Sequence, residues 1–352
     1  MGRQVQNPEL GSGFQLPAYF TKLLNEFRED LVSGEWVLFA TGRAKRGGTV
    51  LEDFKAIEPE KSCPFEDLEK SGNIVLETYY NKEKTDWIAK AAENKFPAVL
   101  EGQPELLKRT GPFSVMEAKG RHEVIIFKDH KRTLSEFSPA ELADVFKIYQ
   151  ERYISMLNYG SMEYILIFHN QGPKAGATMQ HPHSQIISIP ILPPDIKRSI
   201  MGSERFFREN NQKVYDVMID WEIKEKKRII YADDDFIAFC PFVSKVPYEI
   251  RIFPKKGHAH FEQTPEEILP CLGKAMHAVF AKMDKALNKP DYNFFIHTAP
   301  LEAGHAHDFY TWHIEILPQL TILGGFDLGS GIDVNTVDPD EAAALMKKEK
   351  AD

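Results

Sequence analysis

The 352-residue chain is 43% hydrophobic and 27% charged, ordinary proportions for a soluble protein with core material for two domains or one large one. Its formal net charge of −9 argues against general nucleic-acid binding, which needs spread basic charge, and no run of 18 apolar residues offers a membrane span. Three scattered cysteines (Cys63, Cys240, Cys271) make no disulfide framework, and the opening MGRQVQNPELGSG lacks an apolar signal core, so a cytoplasmic protein is expected.

In chain order, the first chemical feature is the basic run Arg43-Ala-Lys-Arg46, after Ser33-Gly-Glu-Trp-Val-Leu38. It reads either as a solvated loop or as a local patch for an anionic substrate. Residues 70–110 read as loops and short strands. An internal repeat follows. Residues 122–187 run HEVIIFKDH, SPAELADVFKIYQERYISML, EYILIFHN and HPHSQII; residues 248–317 run YEIRIFPKKGH, TPEEILPCLGKAMHAVFAKM, YNFFIHTAP and WHIEIL. Each copy reads strand, helix, strand, turn, strand, which predicts an α+β fold with helices packed on antiparallel sheets. Ser138-Pro-Ala-Glu141 and Thr264-Pro-Glu-Glu267 both read as capping boxes with Pro at the first helical position. Apolar residues at three- and four-residue steps give each helix one buried face.

The link between copies is expected near 191–213, where ILPPDIKRS gives way to GSERFFRENNQK. FFREN and YNFFI are expected in the core, and His258, His260, His305 and His307 in solvated loops. Residues 320–336 read as loop and short strand. Within them GGFDLGSG (324–331) does not match a dinucleotide fingerprint, because no following helix is evident. A last helix opens at Asp338-Pro-Asp-Glu341.

The strongest chemical signal is His181-Pro-His-Ser-Gln185, behind the loop Asn170-Gln-Gly-Pro-Lys-Ala-Gly-Ala-Thr-Met-Gln180. In an extended strand alternate side chains share a face, so His181, His183 and Gln185 would line up, and Pro182 disfavours helix. One imidazole could hold a metal or attack phosphorus while the amide grips an oxygen. The plainer alternative is a set of packed or solvated side chains.

Taken in order, these segments carry a family resemblance. The landmarks are Arg28-Glu-Asp-Leu-Val-Ser-Gly-Glu-Trp-Val-Leu38, Arg43-Ala-Lys-Arg46, Ser62-Cys-Pro-Phe-Glu66, Asn94-Lys-Phe-Pro-Ala98, Gly120-Arg-His-Glu-Val-Ile-Ile126, Asp129-His130, Asn170, Gly176-Ala-Thr178, His181-Pro-His-Ser-Gln185 and His313-Ile-Glu-Ile-Leu-Pro318. Over most of its length the chain resembles the galactose-1-phosphate uridylyltransferase branch of the histidine-triad superfamily.

The resemblance implies a duplicated histidine-triad-like fold, half-barrel antiparallel sheets with helices packed on them. It implies an N-terminal catalytic domain over 1–200 and a C-terminal copy over 201–352. His183 would be the nucleophile on the α-phosphorus of a nucleoside diphosphate sugar, forming a nucleotidyl-histidine in a ping-pong reaction. Gln185 would donate to a phosphoryl oxygen. Gly176, Ala177 and Thr178 would supply backbone and hydroxyl donors, Arg43 and Arg46 would hold the outer phosphate, and Asn94 and Asn170 would contact the nucleotide. The activity implied first is UDP-glucose–hexose-1-phosphate uridylyltransfer, in galactose metabolism. The alternatives are an ADP-glucose phosphorylase, with phosphate as acceptor, and a non-catalytic nucleotide-binding relative. The phosphorylase is favoured by Gly331 near the position where galactose-specific enzymes carry a sugar-binding Glu. A structural zinc is implied at Cys63, Glu66, His130 and His181, with Glu66 standing where the family has a second Cys. A second metal position would involve His297, His313 and Glu315, where a metal-free, structural copy is expected. A homodimer is implied as well.

Overall fold

The computed structural model describes residues 25–46, 63–102, 107–158, 162–301 and 307–350, with 44–46 described by backbone alone. His305 and the Arg46 side chain lie outside the described residues.

The first copy and its leader comprise β1 (Asn25–Glu29), β2 (Trp36–Ala40), β3 (Val75–Tyr80), β4 (Trp87–Glu93), β5 (Lys108–Thr110), β6 (Phe113–Val115), β7 (Arg121–Phe127), α1 (Pro139–Leu157), β8 (Tyr164–Gln171) and β9 (His183–Ile189). Two helices follow, α2 (Pro194–Asn210) and α3 (Val214–Glu225). The second copy comprises β10 (Ile229–Ala232), β11 (Phe236–Phe239), β12 (Ile250–Pro254), α4 (Leu269–Leu287), β13 (Tyr292–His297) and β14 (His313–Pro318), before α5 (Gly325–Ser330), β15 (Asp333–Asn335) and α6 (Pro339–Lys348).

The two repeats form one ten-stranded antiparallel sheet in the order β10-β11-β12-β14-β13-β8-β9-β7-β4-β3, an open sheet rather than a closed barrel. Read from either end, the order gives the same succession of roles. The copies meet where β8 pairs with β13, centred on His169 opposite Phe294, so a local twofold relates them. Strand alternation then sorts side chains onto two faces. Ile165, Ile167, Ile186, Ile252, Phe294 and Ile314 meet α1 and α4 in the main core. That helix pair packs closely enough that a Cβ on Gly273 of α4 would stand 2.2 Å from the Pro139 carbonyl oxygen, so only glycine fits. Phe253, Ile237 and Phe239 meet α2 and α3 on the opposite face. A second sheet, β1-β2-β15, brings the C-terminal β15 parallel to β2. No helix among the described residues is long and apolar enough to cross a membrane.

Several expectations change. α1 keeps its capping box: Ser138 Oγ accepts from Glu141 N–H at 3.3 Å, and Ser138 N–H donates to the Glu141 carboxylate at 2.8 Å. The second box does not form, and α4 begins at Leu269 after a 3-10 turn over Glu266–Ile268. Thr264 is engaged elsewhere: its hydroxyl pairs with His258 Nε2 at 3.1 Å, and its carbonyl accepts from Gln150 of α1 at 2.8 Å. Residues 191–213, where the link between copies is expected, do lie between the two repeats and carry α2. FFREN sits at the end of α2, Phe206 partly buried on the second core cluster and Arg208–Asn210 exposed, rather than inside the core. GGFDLGSG itself supplies α5, closed by Gly331 in the left-handed region at φ 70°.

The histidines expected in solvated loops are largely enclosed. His307 is buried, and His258 accepts the indole N–H of buried Trp312 at 3.1 Å. Beside them Glu262 Oε2 is buried without a hydrogen-bond partner among the described residues, and Oε1 lies 3.5 Å from His260 Nδ1. Burial pushes this carboxyl up from 4.5 to about 7. A raised carboxyl binds its proton more tightly in the folded state. Its contribution is therefore complete below pH 4.5 and is lost as pH rises through about 7. Glu262→Gln should thus stabilise the protein at pH 8, on the order of 2–3 kcal/mol, and change little at pH 4.5. Thermal denaturation at both pH values measures this, and equal midpoints for the two proteins at pH 8 would contradict it.

Candidate active site

β9 places its side chains alternately, as the His-Pro-His-Ser-Gln spacing requires. Ser184 turns toward α1, where its hydroxyl pairs with Tyr149 OH at 2.6 Å and with His169 Nδ1 at 3.0 Å. This network pins the strand from behind. His183 and Gln185 project from the other face.

His183 is buried, and its Nδ1 donates to the carbonyl of His181 at 2.9 Å. That bond assigns the ring proton to Nδ1 and leaves the lone pair on Nε2. Burial lowers the His183 pKa below 6.5, with the His181 carbonyl opposing and the His181 ring adding to the effect. The ring is therefore neutral at neutral pH, as a nitrogen nucleophile must be. The edge-on ring of Phe65 stands 5.2 Å from His183 and 5.7 Å from His181, between centroids.

Gln185 Oε1 lies 2.9 Å from His122 Nε2 and 3.4 Å from Asn94 Nδ2, so Asn94 does meet Gln185. Asn170 stands on β8, where its Oδ1 accepts from Asn293 Nδ2 at 2.8 Å; the same amide donates to the Ala175 carbonyl at 2.8 Å and ties β13 to the loop. Gly176 is left-handed (φ 83°), as the turn there demands. Its N–H donates to Pro173 O and that of Ala177 to Gly172 O, at 3.0 and 3.1 Å. Those two expected donors are engaged in closing their own turn, with exposed Thr178 beside them. Arg43 is exposed on the 3-10 turn Thr41–Arg46, and no contact joins it to His183 or Gln185 among the described residues.

Cys63, Glu66, His130 and His181 gather with their donor atoms all within 4.8 Å of one another. His130 Nδ1 is 2.7 Å from Glu66 Oε1 and 3.1 Å from His181 Nδ1, and Cys63 Sγ is 3.7 Å from His181 Nδ1. His181 Nε2 donates to the Phe127 carbonyl at 2.6 Å, which turns the Nδ1 lone pair toward the other three groups. An outer carbonyl fixing the tautomer of a ligating imidazole is the usual support of a metal site. One sulfur, one carboxylate and two imidazoles fit a four-coordinate cation.

In the second copy His313 repeats the geometry of His183, its Nδ1 donating to the Thr311 carbonyl at 3.1 Å. Glu315 stands where Gln185 stands in the first copy. Its Oε1 takes Arg251 Nε at 3.0 Å, while Oε2 is 3.3 Å from His297 Nε2. The rings of His297 and His313 stack at 5.1 Å and 14°. Arg251 also pairs with buried Glu249 at 2.9 Å. Glu315 is thus already paired with the chain's own guanidinium.

Sequence reasoning assigned no role to His122 or Phe65. A signal for His122 exists: in the β7 register Val124 faces Gln185 and Ile126 faces His183, so His122 is the next residue on that face.

Comparison with known proteins shows which proteins the chain is similar to. The family description "Galactose-1-phosphate uridyl transferase, N-terminal domain" matches residues 20–193. A second, "Domain of unknown function (DUF4921)", matches 114–351. The chain is 32% identical to ADP-glucose phosphorylase of Arabidopsis thaliana over 338 residues, 92% of each chain. It is 26% identical to galactose-1-phosphate uridylyltransferase of Thermotoga maritima over 333 residues, 92% of this chain and 98% of that one. The crystal structure of the Arabidopsis ADP-glucose phosphorylase with bound ADP-glucose superposes with a TM-score of 0.78 at 29% identity, covering 92% of this chain and 98% of that one.

Proposed function

The chain belongs to the galactose-1-phosphate uridylyltransferase family of nucleotidyl-transferring enzymes, and from that premise we propose that it moves a nucleoside monophosphate from a nucleoside diphosphate sugar through a covalent adduct on His183. The observation that carries this reading is the His183 ring: neutral, its proton held by the His181 carbonyl, its other nitrogen taking no hydrogen bond among the described residues. The Nε2 lone pair attacks the α-phosphorus, the bond to the sugar-phosphate oxygen breaks, and hexose 1-phosphate leaves. An acceptor phosphate oxygen then displaces the histidine, the N–P bond breaks, and the ring regains its neutral form. Donors on Gln185 and Thr178 would stabilise the charge gathering on the equatorial oxygens, with Arg43 and Arg46 binding the outer phosphate and Asn94 and Asn170 the nucleotide.

Of the two activities implied by the sequence, adenylyl transfer from ADP-glucose to phosphate is the better supported. The higher identity, over nine-tenths of both chains, is to an ADP-glucose phosphorylase. By the family resemblance, Gly331, the left-handed cap of α5, would fall near the position where galactose-specific enzymes carry a sugar-binding Glu. Uridylyl transfer to galactose 1-phosphate is the second reading, favoured by the profile matched over 20–193. We expect kcat/KM for ADP-glucose with phosphate to exceed that for UDP-glucose with galactose 1-phosphate by roughly a hundredfold, the discrimination that pocket shape supplies without hydrogen bonds to the distinguishing groups. Side-by-side assays decide it, and the reverse order would favour the uridylyltransferase.

The Cys63, Glu66, His130 and His181 group would hold a structural zinc. When bound, it would supply a fixed anchor for the Cys63–Glu66 turn. That turn carries Phe65, whose ring walls one side of His183. The enzyme would work on small molecules, as a homodimer in the cytoplasm.

A further inference from the structure

We propose that His122 is a positioning residue that sets which end of the Gln185 amide faces the reacting phosphorus. This role deepens the nucleotidyl-histidine reading and rests on it for its chemical meaning. Its geometry stands on backbone groups whose hydrogen-bonding sense is fixed.

Two such groups decide the matter. Ala98 N–H donates to His122 Nδ1 at 3.1 Å, so Nδ1 must carry a lone pair. The neutral ring then bears its proton on Nε2, and burial keeps the ring neutral by lowering its pKa. Phe96 N–H donates to Asn94 Oδ1 at 2.9 Å, so the other end of Asn94, its NH2 group, faces inward. Both inward groups, His122 Nε2–H and Asn94 Nδ2–H, converge on one atom of Gln185, at 2.9 and 3.4 Å. The 3.2 Å between Asn94 Nδ2 and His122 Nε2 is then the spacing of two donors sharing an acceptor, not a bond between them.

The atom that receives two donors must be the amide oxygen. Gln185 therefore cannot flip without setting its NH2 against two other N–H groups, and its own two donors turn away from β7. No described residue takes them up. On β9 that direction is the face shared with His183, where a phosphoryl oxygen would lie during attack. An unrestrained glutamine would present its oxygen there about as readily, and an oxygen would repel the phosphate. The loop Asn94–Ala98 thereby couples its own conformation to the polarity of Gln185: Asn94 N–H also donates to the His122 carbonyl at 2.9 Å, so the loop's backbone grips this histidine at two points, its carbonyl and its Nδ1.

The test uses the full-length protein. Single-turnover transfer from ADP-glucose and from UDP-glucose to His183 is followed by quenched-flow mass spectrometry in the parent, His122→Ala, Gln185→Ala and the double variant. His122→Ala is expected to slow adduct formation by roughly tenfold to a hundredfold, within the loss produced by Gln185→Ala, as for removal of an oxyanion donor. In the Gln185→Ala background the His122 change should add little, because His122 acts only through the amide. His122→Gln, whose amide also offers an N–H, should recover part of the rate. Multiplying losses in the double variant, or an unaffected His122→Ala, would overturn the proposal. Long-range ¹H–¹⁵N spectra of the histidine rings give a readout independent of turnover. An Nε2-protonated His122 is expected, and an Nδ1-protonated ring refutes the assignment whatever the substrate. A parent that forms no adduct while showing the expected tautomer would instead sink the reading of the reaction.

Discussion

Replacing His183 by glycine is expected to abolish turnover, lowering kcat by on the order of 10⁴-fold or more, because no second group in the site supplies a nitrogen lone pair to phosphorus. The parent, incubated with sugar nucleotide and no acceptor, should gain the mass of one nucleoside monophosphate on a peptide containing His183; the glycine variant should gain none. Binding should survive. The His183 ring is held by its neighbour's carbonyl and by the edge of Phe65, not by the loop and strand residues expected to touch the nucleotide. Calorimetry of the variant with ADP-glucose should therefore report an affinity within about tenfold of the parent, a loss confined to the contacts of one ring. Normal turnover in the variant, or a nucleotide recovered on another residue, would refute the assignment of the nucleophile.

The second large effect concerns the metal group. Purified protein is expected to contain about one zinc per chain by elemental analysis. Its removal by a chelator should lower stability by about 4 kcal/mol if free zinc otherwise stands a thousandfold above its dissociation constant. Thermal denaturation with and without chelator measures the loss, and Cys63→Ala should abolish the response. The residues explain why the loss would be large. Cys63 and Glu66 sit on one turn and His130 and His181 on two others, so a cation held by these side chains would cross-link three chain segments at one point. Activity should fall with stability, since the same turn carries Phe65 to His183. A chelator-treated protein with unchanged melting and no zinc before treatment would refute this.

The architecture was legible where period and order carried it. Alternation in HEVIIF, EYILIF and HSQIISI gave the strands, the three-and-four spacing gave α1 and α4, and the repetition of both gave the duplication. Ser138 read correctly as a cap because both halves of its box are free to form. Thr264 did not, because its hydroxyl is claimed by His258 in the loop just before it and its carbonyl by Gln150 of α1, far back along the chain. The histidines at 258, 260 and 307 failed for a similar reason: whether a loop is wet depends on what folds over it. In the candidate site, the shared face of His183 and Gln185 was legible from strand alternation, whereas the gathering of Cys63, Glu66, His130 and His181 was implied only by the family resemblance, because these residues are far apart in sequence. His122 was not legible, since an imidazole beside a strand of valine and isoleucine looks like filler until the register sets it against Gln185.

The local twofold at the β8–β13 seam bears on stoichiometry. It gives every polypeptide two equivalent imidazoles, His183 and His313, each tethered by the carbonyl two residues back. Only one faces an amide; the other faces a carboxylate already paired with Arg251. A phosphate approaching His313 would have to compete with that carboxylate for the guanidinium and endure its charge at close range. A fully loaded chain should accordingly hold one equivalent of nucleotide, half the number its symmetry would permit.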